Sequence, residues 1–353
     1  MSKRYQRALL LCAKNYSLFN SCLELLGELA QETKGFDIRS RISAADLRIN
    51  AQVYRLPFKI KNRWDVIFLK KANKILMAET LKYNPDLVLV YNSEYLLPET
   101  CAEIKKNAKL IYFMGDSPFY TPLNNYYLTC LSYADLILSP DSFWNEQLNT
   151  MGFRQTVFYV PGIDETSYFQ LNEPDRMKDM AERDVIYAGA CYVNSWGYKK
   201  ALLMSQFTRF NFRLYGNAMW KRWFRFFPEL EGKYIESGFI PAQKLNKMLN
   251  GSKMTPVDGN PGILNGFHLR LLEALGAGTL PLVEYRKDVE KLLFMGCQST
   301  LPLIKNYSKA GDLVEYFLKN ESERKGLVKE LRNFVLSHYN AKANAEMLLD
   351  VLK

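Results

Sequence analysis

The sequence predicts an α/β protein made of two tandem doubly wound domains. Three observations predict it. Short, nearly continuous apolar runs recur along the chain, helical or polar segments separate them, and the rhythm breaks at a polar stretch near the middle and then restarts. Apolar runs without polar alternation suit parallel strands covered on both faces. A chain of 353 residues is long for one domain and suits two. Its 48% hydrophobic and 24% charged residues are the balance of a globular protein with sizeable cores.

Residues 7–13, RALLLCA, read as a buried strand, and 16–30, YSLFNSCLELLGELA, place Leu18, Cys22, Leu25, Leu26 and Leu29 on one face of a helix. A helical stretch at 66–81 leads to PDLVLVYN (85–92), AKLIYFMG (108–115), DLILSP (135–140) and TVFYVPG (156–162), the remaining strands of the first half. From 163 to 183 the chain is polar, and its first half has no periodicity. A linker is therefore placed at 166–183, between a domain at 1–165 and another at 184–335. Strands restart with DVIYAGA (184–190), FRLYG (212–216) and KYIESGF (233–239). PAQKLNKMLNG (241–251) has proline at a helix start and glycine at its end. SKMTPVD (252–258) and TLPLVEY (279–285) are the next strands, and 321–353 forms two amphipathic packing helices.

Composition narrows the function. No apolar run approaches the length of a membrane span, and MSKRYQRALLLCAKNYS lacks the apolar region and cleavage site of a secretory signal. A cytoplasmic location is expected, with association at a membrane surface left open by the charge. Six cysteines stand singly and the two histidines, His268 and His338, have no cysteine nearby in sequence, so no metal site is expected. A formal charge of +10 and a pI near 9.1 favour an anionic partner.

The stretch 256–285, PVDGNPGILNGFHLRLLEALGAGTLPLVEY, is the main candidate site. Gly259, Gly262 and Gly266 allow tight turns, and a helix opening near Phe267 would aim unpaired N–H groups at a bound anion. His268 and Arg270 in its first turn oppose the helix dipole unless an anion is present. Glu273 interrupts an apolar segment and calls for a partner such as a ligand hydroxyl pair. Ligands of open α/β sheets sit beyond the carboxyl ends of the strands, which adds Gly189 and Gly216. Neither a dinucleotide-binding G-x-G-x-x-G after the first strand nor a G-K-[ST] P-loop is present, which removes nicotinamide and the usual nucleotide-triphosphatase readings.

GFHLRLLEALGAGTLPLV resembles the donor-binding signature of the GT-B glycosyltransferases, in which two Glu separated by seven residues frame the nucleotide-sugar site. Glu273 stands at the second position and Asn265 at the first. The Asn-for-Glu change, Arg270 and the E-A-x-x-x-G helix resemble the CgeB-like branch of the group 1 glycosyltransferases. PDLVLVYNSEYL, AKLIYFMGDSP, ADLILSPDSF, PGIDETSYF and FRLYGNAMW extend the resemblance over most of the chain. It implies two Rossmann-like domains with a cleft between them, the second holding a nucleoside-diphosphate sugar and the first a hydroxyl acceptor. The last helix, 336–353, would cross back to the first domain. Gly189, Gly216, Asn265, Gly266, Phe267, His268, Arg270 and Glu273 are then the donor-binding candidates, with Arg270, His268 and helix amides on the diphosphate and Glu273 on the ribose. The donor is a substrate, no cofactor is implied, and the chain lacks the D-x-D motif of metal-using transferases.

Transfer also needs a base for the acceptor hydroxyl in inverting enzymes. Asp116, after AKLIYFMG, is the first candidate and Glu94, after PDLVLVYN, the second. Asp141 and Asp164 read equally well as caps or turns. Two basic, aromatic stretches, 54–71 and 220–227, are either faces over the protein's own core or contacts to an anionic membrane or DNA. The expected reaction is sugar transfer to a cell-envelope or capsule glycan intermediate or a protein. The alternatives are a phage-type transferase acting on modified DNA bases, suggested by the charge, and a non-catalytic sugar-nucleotide-binding or scaffold protein, suggested by Asn265.

Overall fold

The computed structural model describes residues 4–53, 55–92, 95–120, 125–153, 155–172 and 182–352. The chain forms two units, residues 1–161 with 341–353, and residues 162–340. The expected bounds lay at 165 and 336, and 173–181 of the expected linker fall outside the described residues.

In the first unit, β1 (Tyr5–Leu11) is followed by α1 (Phe19–Leu29) and β2 (Ala30–Phe36), then by α2 (Ala44–Val53) and α3 (Phe58–Tyr83). Next come β3 (Leu87–Tyr91), α4 (Pro98–Lys105), β4 (Lys109–Phe113), α5 (Tyr127–Leu131), β5 (Leu136–Ser139), α6 (Ser142–Thr150) and β6 (Thr156–Phe158). The six strands form a parallel sheet in the order β2-β1-β3-β4-β5-β6. Its centre is apolar because both faces are covered, and all of β3 is buried. Strand β2, unmarked in the sequence, is one of the two edges. Its Gln31, Glu32 and Thr33 meet water, so it carries no apolar run. Helix α3 starts at Phe58, eight residues before the expected 66, because Pro57 sets the turn into it, and Asn84 ends it at φ 51°.

The second unit runs through β7 (Arg183–Ala188), α7 (Ser195–Ser205), β8 (Phe212–Gly216), β9 (Tyr234–Glu236), α8 (Ala242–Asn250), β10 (Ser252–Val257), α9 (Arg270–Ala277) and β11 (Leu280–Glu284). It continues with β12 (Leu303–Ile304), α10 (Ala310–Lys319) and α11 (Glu321–His338). Its parallel sheet has the order β12-β11-β10-β7-β8-β9. Leu271, Leu272, Ala274 and Leu275 form the buried stripe of α9. The final helix, α12 (Ala341–Val351), belongs to the first unit. There the buried Asn344 donates to the Val160 carbonyl at 3.0 Å.

Candidate active site

Four buried or half-buried polar side chains meet at the carboxyl ends of the central strands of the second unit. Asp258, just after β10, is 3% exposed. It accepts a hydrogen bond from the Tyr187 hydroxyl of β7 at 2.7 Å and pairs with Lys200 Nζ of α7 at 3.1 Å. Arg270, the first residue of α9, reaches the same carboxylate at 3.4 Å, donates to the Tyr187 hydroxyl at 3.0 Å and lies over its ring. Lys200, 2% exposed, also donates to the Ala190 carbonyl at 3.1 Å. Burial by itself would raise the Asp258 carboxyl, but Lys200 and Arg270 hold it well below the usual carboxylate range. Burial pulls both cations down. The Tyr187 phenol and Asp258 more than offset it, and both side chains stay charged. Two cations facing one carboxylate leave this corner with an excess of positive charge.

The two strand-end glycines are required by neighbouring side chains, a reason the sequence does not show. A Cβ on Gly189 would lie 2.7 Å from Arg270 Nη2 and 2.7 Å from the Tyr187 hydroxyl. A Cβ on Gly216 would lie 2.3 Å from Trp220 Nε1, which donates to the Gly189 carbonyl at 2.9 Å. The guanidinium and the indole occupy space that was expected to admit phosphates. Trp220, Trp223 and Phe227 of the 220–227 stretch are buried, so most of its rings are core, although Phe226 is half exposed.

The helix N-terminus differs from the expected one. Helix α9 begins at Arg270 and not near Phe267. The Arg270 amide donates to His268 Nδ1 at 3.1 Å, the Leu271 amide to the His268 carbonyl at 3.0 Å, and the Leu272 and Glu273 amides to the Leu269 carbonyl. These first-turn amides are already satisfied, so an anion here would be met by side chains. His268 is also no cation. Burial, reinforced by Arg270, pushes its pKa down to about 3. Because Nδ1 accepts, the ring proton sits on Nε2.

Glu273 lies half-buried one turn into α9. Burial raises its pKa, while Arg270 and the Tyr168 phenol pull it down. Asn265 is half-buried, and its carbonyl accepts from the Asp288 amide at 2.9 Å. Gly266 and the Phe267 ring are buried, so Phe267 can offer a ligand only its backbone.

A second charged group lies beside the first and was missed in the sequence. Glu284, closing β11, pairs with Lys199 Nζ at 2.6 Å and with Arg286 Nη2 at 3.0 Å. It also accepts from the Tyr307 hydroxyl at 2.7 Å and the Gly259 amide at 3.0 Å. Adjacent lysines of α7 thus serve carboxylates at the ends of neighbouring strands, Lys200 for Asp258 and Lys199 for Glu284. The available signal was Lys200 itself, a cation on the helix face that also carries Gly197, Ala201 and Met204.

In the first unit, Asp116 follows β4 and is half-buried. Asn92, at φ 44°, donates through Nδ2 to Asp116 Oδ2 at 2.9 Å and accepts the Gly115 amide at 2.7 Å. Burial raises the Asp116 pKa. The local turn is held by Ser117, whose hydroxyl accepts the Phe119 and Tyr120 amides, so the aspartate is not the turn-forming group. Glu94 and Tyr54 lie outside the described residues. Asp141 caps α6 through the Phe143 amide, and Asp164 holds a turn through Thr166 and Ser167. His338 stacks on Phe334 at the end of α11. Among the described residues no group of three or more His, Cys, Asp or Glu is arranged to hold a metal, and no helix is long and apolar enough to cross a membrane.

Two parallel-sheet α/β units with this strand order define the class: the fold is that of the GT-B glycosyltransferases. Residues 199–350 match the family described as glycosyl transferase-like, and this match includes the charged residues of the corner from Lys199 to Arg286, with Tyr187 preceding it. The narrower CgeB-like resemblance rests on the motifs alone. Among solved structures, sucrose-phosphate synthase from Thermosynechococcus elongatus is 11% identical with a TM-score of 0.66, covering 98% of each chain. HepE from Anabaena, solved in complex with UDP-glucose, is 11% identical with a TM-score of 0.61, covering 98% of this chain and 99% of its own. A UDP-forming trehalose-phosphate synthase from Burkholderia xenovorans is 12% identical with a TM-score of 0.65, covering 98% of each chain. No curated protein sequence matches the chain.

Proposed function

We propose that the protein is a glycosyltransferase that moves a sugar from a nucleoside-diphosphate donor to a hydroxyl acceptor. One observation carries the reading: within the family-matched segment, Lys200 and Arg270 together outnumber the single carboxylate of Asp258 at the strand ends. An incoming diphosphate would balance that excess, and more so as charge builds on it when the glycosidic bond breaks. Arg270 is the partly exposed member and makes the contact, while Lys200, behind it, positions Asp258. Glu273, when ionised, accepts the ribose hydroxyls. Asp116 is the base for the acceptor hydroxyl, its pKa raised toward the working range. The cationic side chains supply the charge the leaving group needs, so this reading invokes no resident metal.

UDP is the first probe, since HepE was solved with UDP-glucose. Titration calorimetry with UDP should show binding that Arg270→Ala and Glu273→Ala each weaken about 10- to 150-fold, the loss of a charge-assisted hydrogen bond of about 1.5–3 kcal/mol. Unchanged affinity in both variants would remove the nucleotide from this corner. A panel of UDP-, GDP- and dTDP-sugars then reads donor hydrolysis and transfer. Binding without either reaction would leave a sugar-nucleotide-binding protein and sink the enzyme.

A further inference from the structure

The α2–α3 segment of the first unit carries a surface to which the proposed sugar transfer assigns no role. Residues 44–74 contain eight Lys or Arg and two Asp. Both carboxylates are taken, Asp46 by Lys71 at 2.5 Å and Asp65 by Lys61 at 3.0 Å. The other six cations, Arg48, Arg55, Lys59, Arg63, Lys70 and Lys74, are all exposed. Interspersed with them are Ile49, Leu56, Phe58, Ile60, Val66 and Ile67, between 38% and 72% exposed. On the 3.6-residue repeat of α3, Lys59, Arg63, Lys70 and Lys74 form one stripe, with Ile60 and Ile67 along its edge. The opposite stripe, Phe68, Leu69, Ala72 and Leu76, is buried in the unit. Water would ordinarily disfavour so many exposed aliphatic side chains in one segment.

We propose that this face lies on the surface of an anionic phospholipid bilayer. Ile60 and Ile67 enter the boundary between headgroups and acyl chains, and Lys59, Arg63, Lys70 and Lys74 rest on lipid phosphates. Charge and apolarity together select this occupant. A nucleic-acid backbone would use the cations and leave the aliphatic chains in water. A single strand would need stacking rings, and Phe58 is the one exposed ring among the described residues of the segment. Trp64 is turned inward, donating to Asn50 at 3.0 Å and stacking on Phe68.

The test is co-sedimentation of the full chain with vesicles of phosphatidylcholine alone and of phosphatidylcholine with about one quarter phosphatidylglycerol, at low and high salt. The protein should pellet with the anionic vesicles only, and less so at high salt. R63Q/K70Q should lower the partition coefficient about 30-fold, from about fivefold for each cation removed. I60S/I67S should lower it about 100-fold, near tenfold for each buried aliphatic side chain. All four positions are exposed, so the thermal midpoint of each variant should equal that of the parent, which separates lost binding from lost folding. Failure to bind anionic vesicles at low salt, or binding untouched by both double variants, overturns the proposal. Salt-sensitive binding to a DNA duplex that I60S/I67S leaves unchanged would assign the face to nucleic acid and overturn it equally.

Discussion

Replacing Asp258 by Asn tests the charged corner most directly. The side chains are nearly the same size, so packing around this 3%-exposed position is kept and the Tyr187 hydroxyl still finds an acceptor. What disappears is the counter-charge of Lys200, 2% exposed and 3.1 Å away. An uncompensated buried charge costs about 3–5 kcal/mol. Urea unfolding followed by fluorescence should show that loss in the second unit, where the buried Trp220 and Trp223 report. Adding Lys200→Met should recover much of it, because removing both charges also removes the desolvation penalty. The pH dependence has a definite sign. Asp258 is held below its ordinary range, so its contribution is full above the unfolded value of about 3.9 and fades as pH falls through the folded value. The difference between parent and D258N should therefore shrink on acidification. A loss below about 1 kcal/mol, or a double variant as unstable as the sum of the singles, would refute the account of Asp258 as the charge that holds two cations in the interior.

Gly189→Ala should displace the Arg270 guanidinium from its seat, costing about 1–3 kcal/mol as other overpacked sites do and weakening UDP binding, whereas Gly232→Ala, with nothing within 4 Å of the new methyl, should leave affinity unaltered in the same calorimetry. His268 should show no ring titration by NMR between about pH 5 and 8 in the folded protein. Since its folded pKa lies below the unfolded one, its contribution to stability is complete above about pH 6.5 and declines toward pH 3, by at most about 1.4 kcal/mol per pH unit. Asp116→Asn should lower turnover about 100- to 10,000-fold with UDP affinity intact, and should abolish an acid limb of the rate profile lying above the ordinary Asp pKa of about 3.9.

Much of the layer architecture was legible because central parallel strands must be apolar on both faces: LVLVY of β3 and LPLVE of β11 stand out as uninterrupted runs. Two of the four edge strands were not legible. Strand β2 turns Gln31 and Glu32 to water, and β12 is only two residues long, so neither has a pattern to read. In the candidate site, Arg270 and Glu273 could be singled out as charges on an apolar helix. Their surroundings could not, because the Lys200–Asp258 and Tyr187–Asp258 contacts join residues 58 and 71 positions apart. The start of α9 was misplaced for a local reason: the His268 ring nitrogen takes the Arg270 amide that a longer helix would have left for a ligand. The glycines carry the same lesson. Gly189 and Gly216 looked like openings for a phosphate, yet Arg270 and Trp220 fill the space that a methyl group would need.

The return of α12 to the first unit has a consequence for synthesis. Asn344 supplies a hydrogen bond to the Val160 carbonyl, and Ala345 and Leu348 are fully buried there. Residues 162–340 form an uninterrupted stretch, whereas the first unit is closed by a helix that follows them in the chain. The first unit, although translated earlier, lacks the helix that packs on α1 until α12 emerges. During that interval the face of α1 that α12 covers is open to chaperones, proteases and wrong partners.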